Sequence, residues 1–498
     1  MISWLSVLLQ SWMLMVMVII LGLGGSFQYG FQISVINAPS DHIQRFINET
    51  WLKRYGTPMA ESTVKLIWSI IVSIFSIGAV VGSISSGQLS VKYGRKNCLL
   101  LNNVVALGAA TLAGLSKMAG SFEMIILGRF LYGCNVGIGL NVHLMYLVES
   151  SPRELRGFMS LSSCVFIGLG KCLGQIFGLK ELLGGEEMWP YLLAFSGAPA
   201  LLQLVGLFFF PDSPRYLFIE KGNEEGCVRA LTQLWGKKDF KMELEDMARE
   251  WDKMKGQKAK TVLGVLRNRS VRWQMLTLIF PCAGVQLCGI SAIYFYAFDI
   301  FSAAGIPDEQ MHYMSIGIGL TELVSIILCS FLIECIGRKK LMGFGYALMA
   351  IVQGILVLML FLKDHRHWIP YFNVFLLYMF ICIYGSGPSG ASMALPADMF
   401  TQAWRAPAYV VIGLGNSLGL FLVGMCFPFV VALMGQFSFL IFTMYCVLAA
   451  AFTLRFVPET KGKTVLEITE DFNKLNFKGK GSEVEGMQKK DVAITTKL

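Results

Sequence analysis

Between residues 285 and 297 the chain runs Val-Gln-Leu-Cys-Gly-Ile-Ser-Ala-Ile-Tyr-Phe-Tyr-Ala, an apolar stretch in which Gln286, Ser291, Tyr294 and Tyr296 carry hydrogen-bonding groups. At the helical period of about 100° per residue, Gln286, Tyr294 and Ser291 fall in one wide wedge. Hydrocarbon is a poor neighbour for that wedge, because an unsatisfied polar group there costs several kcal/mol. Such side chains face other helices or a wet cavity, where they can hydrogen-bond a polar ligand. Two ionisable residues, Lys171 and Glu322, also sit deep in apolar segments. Charges so placed are functional candidates by default, with pairing or snorkelling as the structural alternative. His143, on a helical stretch beside Asn141, is read as a packing residue. No nucleophile-base constellation or metal-ligand spacing is apparent, so neither catalytic residues, nor a metal, nor a cofactor is expected.

Groups of this kind need apolar helices to hold them, and the composition supplies those. The 498 residues are 55% hydrophobic and 15% charged, with a mean hydropathy of +0.58, which excludes an ordinary soluble domain. Stretches of about 20 apolar residues, enough to cross a bilayer core as helix, recur from 11–34 through to 437–457. Twelve can be placed, so the expected fold class is an all-α membrane protein with twelve transmembrane helices. Lysine and arginine concentrate in alternate loops, above all in 211–271 and the tail, which by the positive-inside rule puts both termini in the cytoplasm. The net charge of +9 follows from that topology and points to anionic lipid rather than nucleic acid. The first segment has no basic leader and is read as a retained span rather than a signal peptide. The twelve cysteines are scattered without a CxxC pair, giving neither a disulfide framework nor a metal site. Asn48-Glu49-Thr50 falls in the long first outer loop and is a glycosylation acceptor; Asn268-Arg269-Ser270 falls inside and should stay unmodified.

Short motifs recur at an almost constant offset. Gly94-Arg95-Lys96 returns as Gly337-Arg338-Lys339, Glu149 with Arg156 returns as Asp398 with Arg405, and Pro211-Asp212-Ser213-Pro214-Arg215 has a relative in Pro458-Glu459-Thr460-Lys461-Gly462. Six spans have been duplicated in parallel orientation. The expected organisation is a six-helix half over 1–210, a cytoplasmic helical loop over 211–271, a second half over 272–457 and a cytoplasmic tail over 458–498. Within the loop, Asn223-Glu224-Glu225 reads as a helix start, and Leu244, Met247, Trp251 and Met254 form an apolar stripe. The loop is expected to pack under the bundle. The polar tail is read as largely disordered, with cytoplasmic sorting factors as its possible partners.

On these residues the chain resembles the facilitative hexose transporters, in the sugar-porter branch of the major facilitator superfamily. The likeness extends from the first helix to Pro458-Glu459-Thr460-Lys461-Gly462. The family's inner-loop motif G-x-x-x-D-R-x-G-R-[RK] appears as Gly87 to Lys96, with Val91 in place of its acid, and Glu334-Cys335-Ile336-Gly337-Arg338-Lys339 serves in the second half. Tyr146 to Gly157 matches Y-x-x-E-x-x-P-x-x-x-R-G. The resemblance implies a cytoplasmic gate made of Gly94, Arg95, Lys96, Glu149, Arg156, Glu334, Gly337, Arg338, Lys339, Asp398 and Arg405, with salt bridges between the halves that break on opening. Gly133 and Gly137 fit the family's fourth span and, as GxxxG, tight helix packing.

The opening stretch resembles the seventh-helix motif Q-Q-L-S-G-x-N-A-x-x-Y-Y, whose amides bind sugar hydroxyls and whose aromatic pair covers the outer gate. Gln286 and Tyr296 match it; Val285, Ser291 and Phe295 replace the first glutamine, the asparagine and the first tyrosine. Cys164, Glu322 and Ala391 replace polar or aromatic family residues on other helices, whereas Asn416 matches. The resemblance implies substrate contacts from Gln286, Ser291, Tyr294, Asn416, Glu322 and Gln32, with Phe295 and Tyr296 as outer gate. Cys282-Ala283-Gly284 stands where glucose-selective members carry Gln-Leu-Ser, which favours fructose or broad hexose use and the family's fructose-related class. With two amides missing, millimolar affinity is expected, on the order of −4 kcal/mol. Proton-driven relatives carry an aspartate in the first helix where Tyr29-Gly30-Phe31-Gln32 stands, and Gln32 cannot titrate, so uniport in the plasma membrane is expected. Three alternatives stay open: a proton-coupled porter using Glu322, a sugar sensor with little transport, and a carrier of an organic anion such as urate, for which Lys171 is the one feature.

Overall fold

The computed structural model describes residues 12–152, 156–236, 240–245, 247–248, 271–362, 368–400, 402–461, 463 and 465–476. In chain order its main helices are α1 (Trp12–Gly24), α2 (Ser26–Ser34), α3 (Ser40–Tyr55), α4 (Glu61–Tyr93), α5 (Arg95–Leu115), α6 (Glu123–Glu149), α7 (Arg156–Phe177), α8 (Trp189–Ala194), α9 (Gly197–Leu207) and α10 (Glu224–Trp235). They continue as α11 (Arg272–Thr277), α12 (Ile290–Phe295), α13 (Ala297–Ala304), α14 (Asp308–Ile336), α15 (Arg338–Phe361), α16 (Ile369–Tyr384), α17 (Gly390–Met399), α18 (Gln402–Met434), α19 (Phe439–Phe456) and α20 (Val465–Asn476). Among the described residues, ten helical stretches are long and apolar enough to cross a membrane. Two places differ from the expected tally. The apolar part of α7 is short, Ser162–Phe177, and the last apolar stretch runs over 47 residues, Val410–Phe456, with a turn at Gly435–Ser438 separating α18 from α19.

Small residues set how the helices pack. The Gly133-xxx-Gly137 face of α6 lies against Gly78 and Gly82 of α4, so closely that a Cβ on Gly133 would run into the carbonyl oxygen of Phe75 and one on Gly78 into that of Phe130. Backbones in such contact gain dispersion that larger side chains would forbid. The same device joins α2 to α7, where a Cβ on Gly30 would meet the Ile167 carbonyl and one on Gly170 the Phe27 carbonyl.

The stretch that carries the polar wedge is not a regular helix, contrary to the single 100° period. A π-turn at Leu278–Cys282 contains Pro281, a 3₁₀ segment follows at Ala283–Cys288, and Gly289 adopts φ +101° before α12 begins. Proline has no N–H to donate, and φ that positive favours glycine. The carbonyls freed by the break are capped by side chains: Tyr346 donates to Pro281 O at 2.7 Å, Tyr445 to Phe280 O at 2.7 Å and Gln353 to Cys288 O at 2.7 Å. A second break, the π-turn Gly385–Ser389 with Pro388 inside it, separates α16 from α17.

Asn223 caps α10 by accepting from Gly226 N at 2.8 Å, as the Asn-Glu-Glu start predicts. This helix packs under the first half: Trp235 donates to Ser150 O at 2.8 Å, and Met247 is buried in the same apolar cluster as Cys227, Leu231 and Leu234. The rest of the predicted stripe, Trp251 and Met254, lies outside the described residues, as do the Asn268 sequon and the tail beyond residue 476. Asn48 is exposed on α3, where its Oδ1 accepts from Met59 N at 3.3 Å.

Candidate functional site

A cavity of about 60 Å³ lies between the two halves, with walls from α2, α7, α12 and the broken stretch before it, α14, α16, the 385–389 turn, α17 and α18. Five of the six expected substrate contacts line it: Gln286, Ser291, Tyr294, Glu322 and Asn416. Irregular backbone at Gly289 is what lets Gln286 and Ser291 face one space, and Ser291 donates to Gln286 Oε1 at 2.6 Å. That bond occupies the amide oxygen and leaves the Gln286 amide nitrogen as a donor. Asn416 Oδ1 is buried without a hydrogen-bond partner among the described residues. Buried polar groups are nearly always paired, so an unpaired acceptor on the cavity wall, with the Gln286 amide beside it, marks a place for a polar ligand. At its present size the cavity holds a few waters rather than a larger molecule.

The sixth expected contact, Gln32, is elsewhere. It is absent from the cavity wall; its Nε2 donates to Ser196 Oγ at 2.8 Å, and its Oε1 accepts from Arg129 Nη1 at 2.8 Å. Arg129 also donates to the carbonyl of Gln32 at 2.9 Å and lies over the Phe75 ring at 4.8 Å. Gln32 therefore helps hold a buried arginine inside the first half, apart from the five residues that line the cavity.

Lys171 and Glu322, each read separately in the sequence, pair across the halves. Lys171 Nζ on α7 stands 2.6 Å from Glu322 Oε1 on α14, with residue exposures of only 6% and 2%. Tyr294 donates to Glu322 Oε2, and its ring lies 4.3 Å beneath the Lys171 ammonium. Residues 151 positions apart give no local signal of pairing. Tyr29 and Tyr384 also line the cavity and were not singled out by the sequence.

Toward the end of the bundle remote from the Gly-Arg-Lys turns, Tyr296 donates to Gly424 O and its ring lies tilted against Phe427 at 5.4 Å, while Phe295 is buried against Gly424, all within the second half. The halves are joined there by two other contacts. Gln175 of α7 accepts from Gly319 N of α14 at 3.0 Å, and Tyr313 donates to Glu181 at 2.9 Å.

At the opposite end the two Gly-Arg-Lys turns share one geometry. Gly94 has φ +86° and Gly337 φ +94°, each opening a helix whose first residues are arginine and lysine. Arg95 Nη1 lies 3.5 Å from Ser90 O, and Arg338 Nη1 lies 3.5 Å from Ile333 O. An acid sits at each helix N-terminus. Asp212 Oδ1 accepts from Arg95 N and Lys96 N at 3.2 Å each, and Glu459 Oε1 accepts from Lys339 N at 3.5 Å. This is why Pro-Asp-Ser-Pro-Arg and Pro-Glu-Thr-Lys-Gly recur: each places a carboxylate on the positive end of a helix dipole. Arg95 further pairs with Glu149 at 2.9 Å and Glu220 at 2.8 Å, over the Tyr216 ring at 5.0 Å. All of these partners belong to the first half and the segment after it, so the Arg95–Glu149 pair braces one half instead of bridging two. Glu220 gave no signal in the sequence as a partner of Arg95. The side chains of Arg156, Glu334, Asp398 and Arg405 lie outside the described part, and so does any bridge expected of them.

An all-helical bundle with broken helices around a central polar cavity fits a major facilitator transporter. The xylose transporter XylE from E. coli, in its inward open conformation, superposes with a TM-score of 0.74 at 21% identity, over 92% of this chain and 99% of that one. The proton:xylose symporter XylE bound to 6-bromo-6-deoxy-D-glucose gives 0.75 at 22% identity, over 92% and 98%. Residues 17–472 match the family described as Sugar (and other) transporter. The chain is 41% identical over 470 residues to solute carrier family 2, facilitated glucose transporter member 11 of Homo sapiens, covering 94% of this chain and 95% of that protein. It is 41% identical to member 9 of Homo sapiens, over 91% and 84%, and 39% identical to member 5 of Equus caballus, over 92% and 91%. The chain belongs to the facilitative hexose transporter family, and it is a multi-pass membrane transporter, not an enzyme.

Proposed function

We propose that this protein is a uniporter of hexoses, fructose and/or glucose, working by alternating access in the plasma membrane. Twelve crossings with both termini cytoplasmic would place the Gly-Arg-Lys turns inside and the Tyr296 closure outside. Tail residues would serve cytoplasmic sorting partners, and Asn48 would carry glycan. The observation that carries the reading is the cavity between the halves, with the buried, unpartnered Asn416 oxygen and the Gln286 amide on its wall. Those groups suit sugar hydroxyls, which donate and accept at once. Binding a hexose requires the halves to move apart around it, and rocking about the bound sugar then exposes it to alternate sides. The first-helix position where proton-driven relatives hold an acid is here an amide that bonds Arg129, so that position cannot couple flux to protons.

Counterflow of labelled fructose and glucose in proteoliposomes at matched pH, for wild type and Gln286→Ala, tests the reading. Counterflow reduced by the substitution is expected; no counterflow of either sugar from folded wild type would sink it. A second reading, a proton-coupled porter, draws on Glu322 in the cavity wall. Uptake that follows an imposed pH gradient in wild type and loses that response in Glu322→Gln would favour it.

A further inference from the structure

We propose that the Lys171–Glu322 pair is the charge selector of this carrier: by cancelling each other in the cavity wall, the two residues admit neutral polyols and exclude sugar acids. The proposal rests on the hexose reading and narrows its substrate class. Among the described residues of the cavity wall, Lys171 and Glu322 are the two that carry full charges. Both are spent on each other. The ammonium stands 2.6 Å from Glu322 Oε1 and over the Tyr294 ring, and the second carboxylate oxygen accepts the Tyr294 hydroxyl. Arg129, a buried cation of α6, is held by Gln32 and backbone carbonyls. What is left facing the cavity is neutral: the Gln286 amide nitrogen and the Asn416 carbonyl oxygen.

A neutral sugar can use those groups without disturbing the pair. A hexuronate, which differs from a hexose in carrying a carboxylate, would lose hydration and find no unpaired cation to replace it. Removing the charge of Glu322 reverses this, because Lys171 then lacks a partner that the carboxylate of the hexuronate can supply. The pair also joins the two halves, so its neutrality is a property of their closed arrangement rather than of either half alone.

The test uses the full chain in proteoliposomes, reading competition against labelled fructose by glucuronate and by its uncharged methyl ester. In wild type the ester should compete about tenfold better than the acid, because the carboxylate loses hydration with no cation to pair with. In Glu322→Gln that preference should shift by about tenfold toward glucuronate. Lys171→Gln should show no such gain, and the Lys171→Gln/Glu322→Gln double variant should return to neutral preference. Glucuronate competing as well as its ester in wild type would overturn the proposal, and this comparison needs no variant to fold. So would Glu322→Gln protein that still moves fructose and still rejects glucuronate, or an equal gain in Lys171→Gln, which would signal mere loosening. Wild type that moves no hexose would instead defeat the hexose reading, and the selector with it.

Discussion

Arg95→Met should destabilise the first half rather than unlatch the two halves. The guanidinium holds Glu149 at 2.9 Å and Glu220 at 2.8 Å, and the acid side chains are only 15% and 25% exposed. Removing one partner of a buried ion pair costs about 3–5 kcal/mol, and the partial exposure of the acids puts this case near the lower figure of about 3 kcal/mol. In a unit of roughly 150–250 residues each kcal/mol moves the melting point by about 2–4 °C, so a drop of about 6–12 °C is expected. Heating purified protein and measuring the folded fraction by fluorescence-detected size exclusion gives the number. Adding Glu149→Gln and Glu220→Gln should recover at least half of it, because no unpaired charge is then left behind. Burial already pushes the Glu220 carboxyl above its ordinary value against the pull of Arg95, and losing Arg95 pushes it further. A carboxyl raised in the folded state costs stability above its folded value and nothing below its unfolded one, so the deficit of Arg95→Met should shrink as pH falls through the carboxylate range. A drop below about 2 °C, or no rescue by the neutral triple variant, would refute the brace and return Arg95 to an inter-half role.

Four further outcomes are expected. Asn416→Ala removes an acceptor from the cavity wall and should raise the KM for hexose by about 2- to 13-fold, corresponding to about 0.5–1.5 kcal/mol, in concentration-dependent uptake. Gly133→Leu forces a side chain into the Phe75 carbonyl and should cost at least about 1–3 kcal/mol, read as lost monodisperse protein, whereas a substitution at Gly108, where a Cβ meets nothing, should be mild. Gln32→Asp puts a titratable group on Arg129, and uptake should become responsive to an imposed pH gradient; uptake that ignores the gradient would show that an acid here is not enough for coupling. Asn48→Gln should abolish a glycosidase-sensitive mobility shift if the α3 segment faces outward, and a wild-type protein without that shift would argue against the assigned topology.

Much of the fold was legible because membrane insertion writes itself into composition. Apolar length marks the spans, and the duplicated Gly-Arg-Lys and Pro-Asp-Ser-Pro motifs mark the halves, because each copy meets the same local demand. A helix that starts at a positive-φ glycine needs an anion on its first N–H groups, and Asp212 and Glu459 supply it from chain-distant positions. The polar wedge was legible for a similar reason: a glutamine and a serine in hydrocarbon must find partners, and here they find each other and the cavity. Pairings over long chain separation were not legible. Nothing near Lys171 specifies Glu322, and nothing near Arg95 specifies Glu220. The Gln32–Arg129 bond was equally hidden, because the position of Gln32 in the first helix says which residue it replaces, not that Arg129 would reach it from α6.

The helix breaks show how local and distant information combine. Pro281 and Gly289 announce an interruption, and a helical wheel drawn through them cannot give the true facing of Gln286 and Ser291. The interruption survives in an apolar bundle only because Tyr346, Tyr445 and Gln353 cap the carbonyls it frees, and those residues belong to α15 and α19. These caps tie the broken stretch to its own half while the cavity residues beside it face the other. Under the proposed alternating access, a segment anchored in that way would keep its backbone partners while the halves move. The first half offers close glycine contacts, α2 on α7 and α4 on α6, and sends Lys171 and Glu181 across to the other half. Local deformation on substrate binding is therefore expected in the second half, with the first moving as a rigid unit.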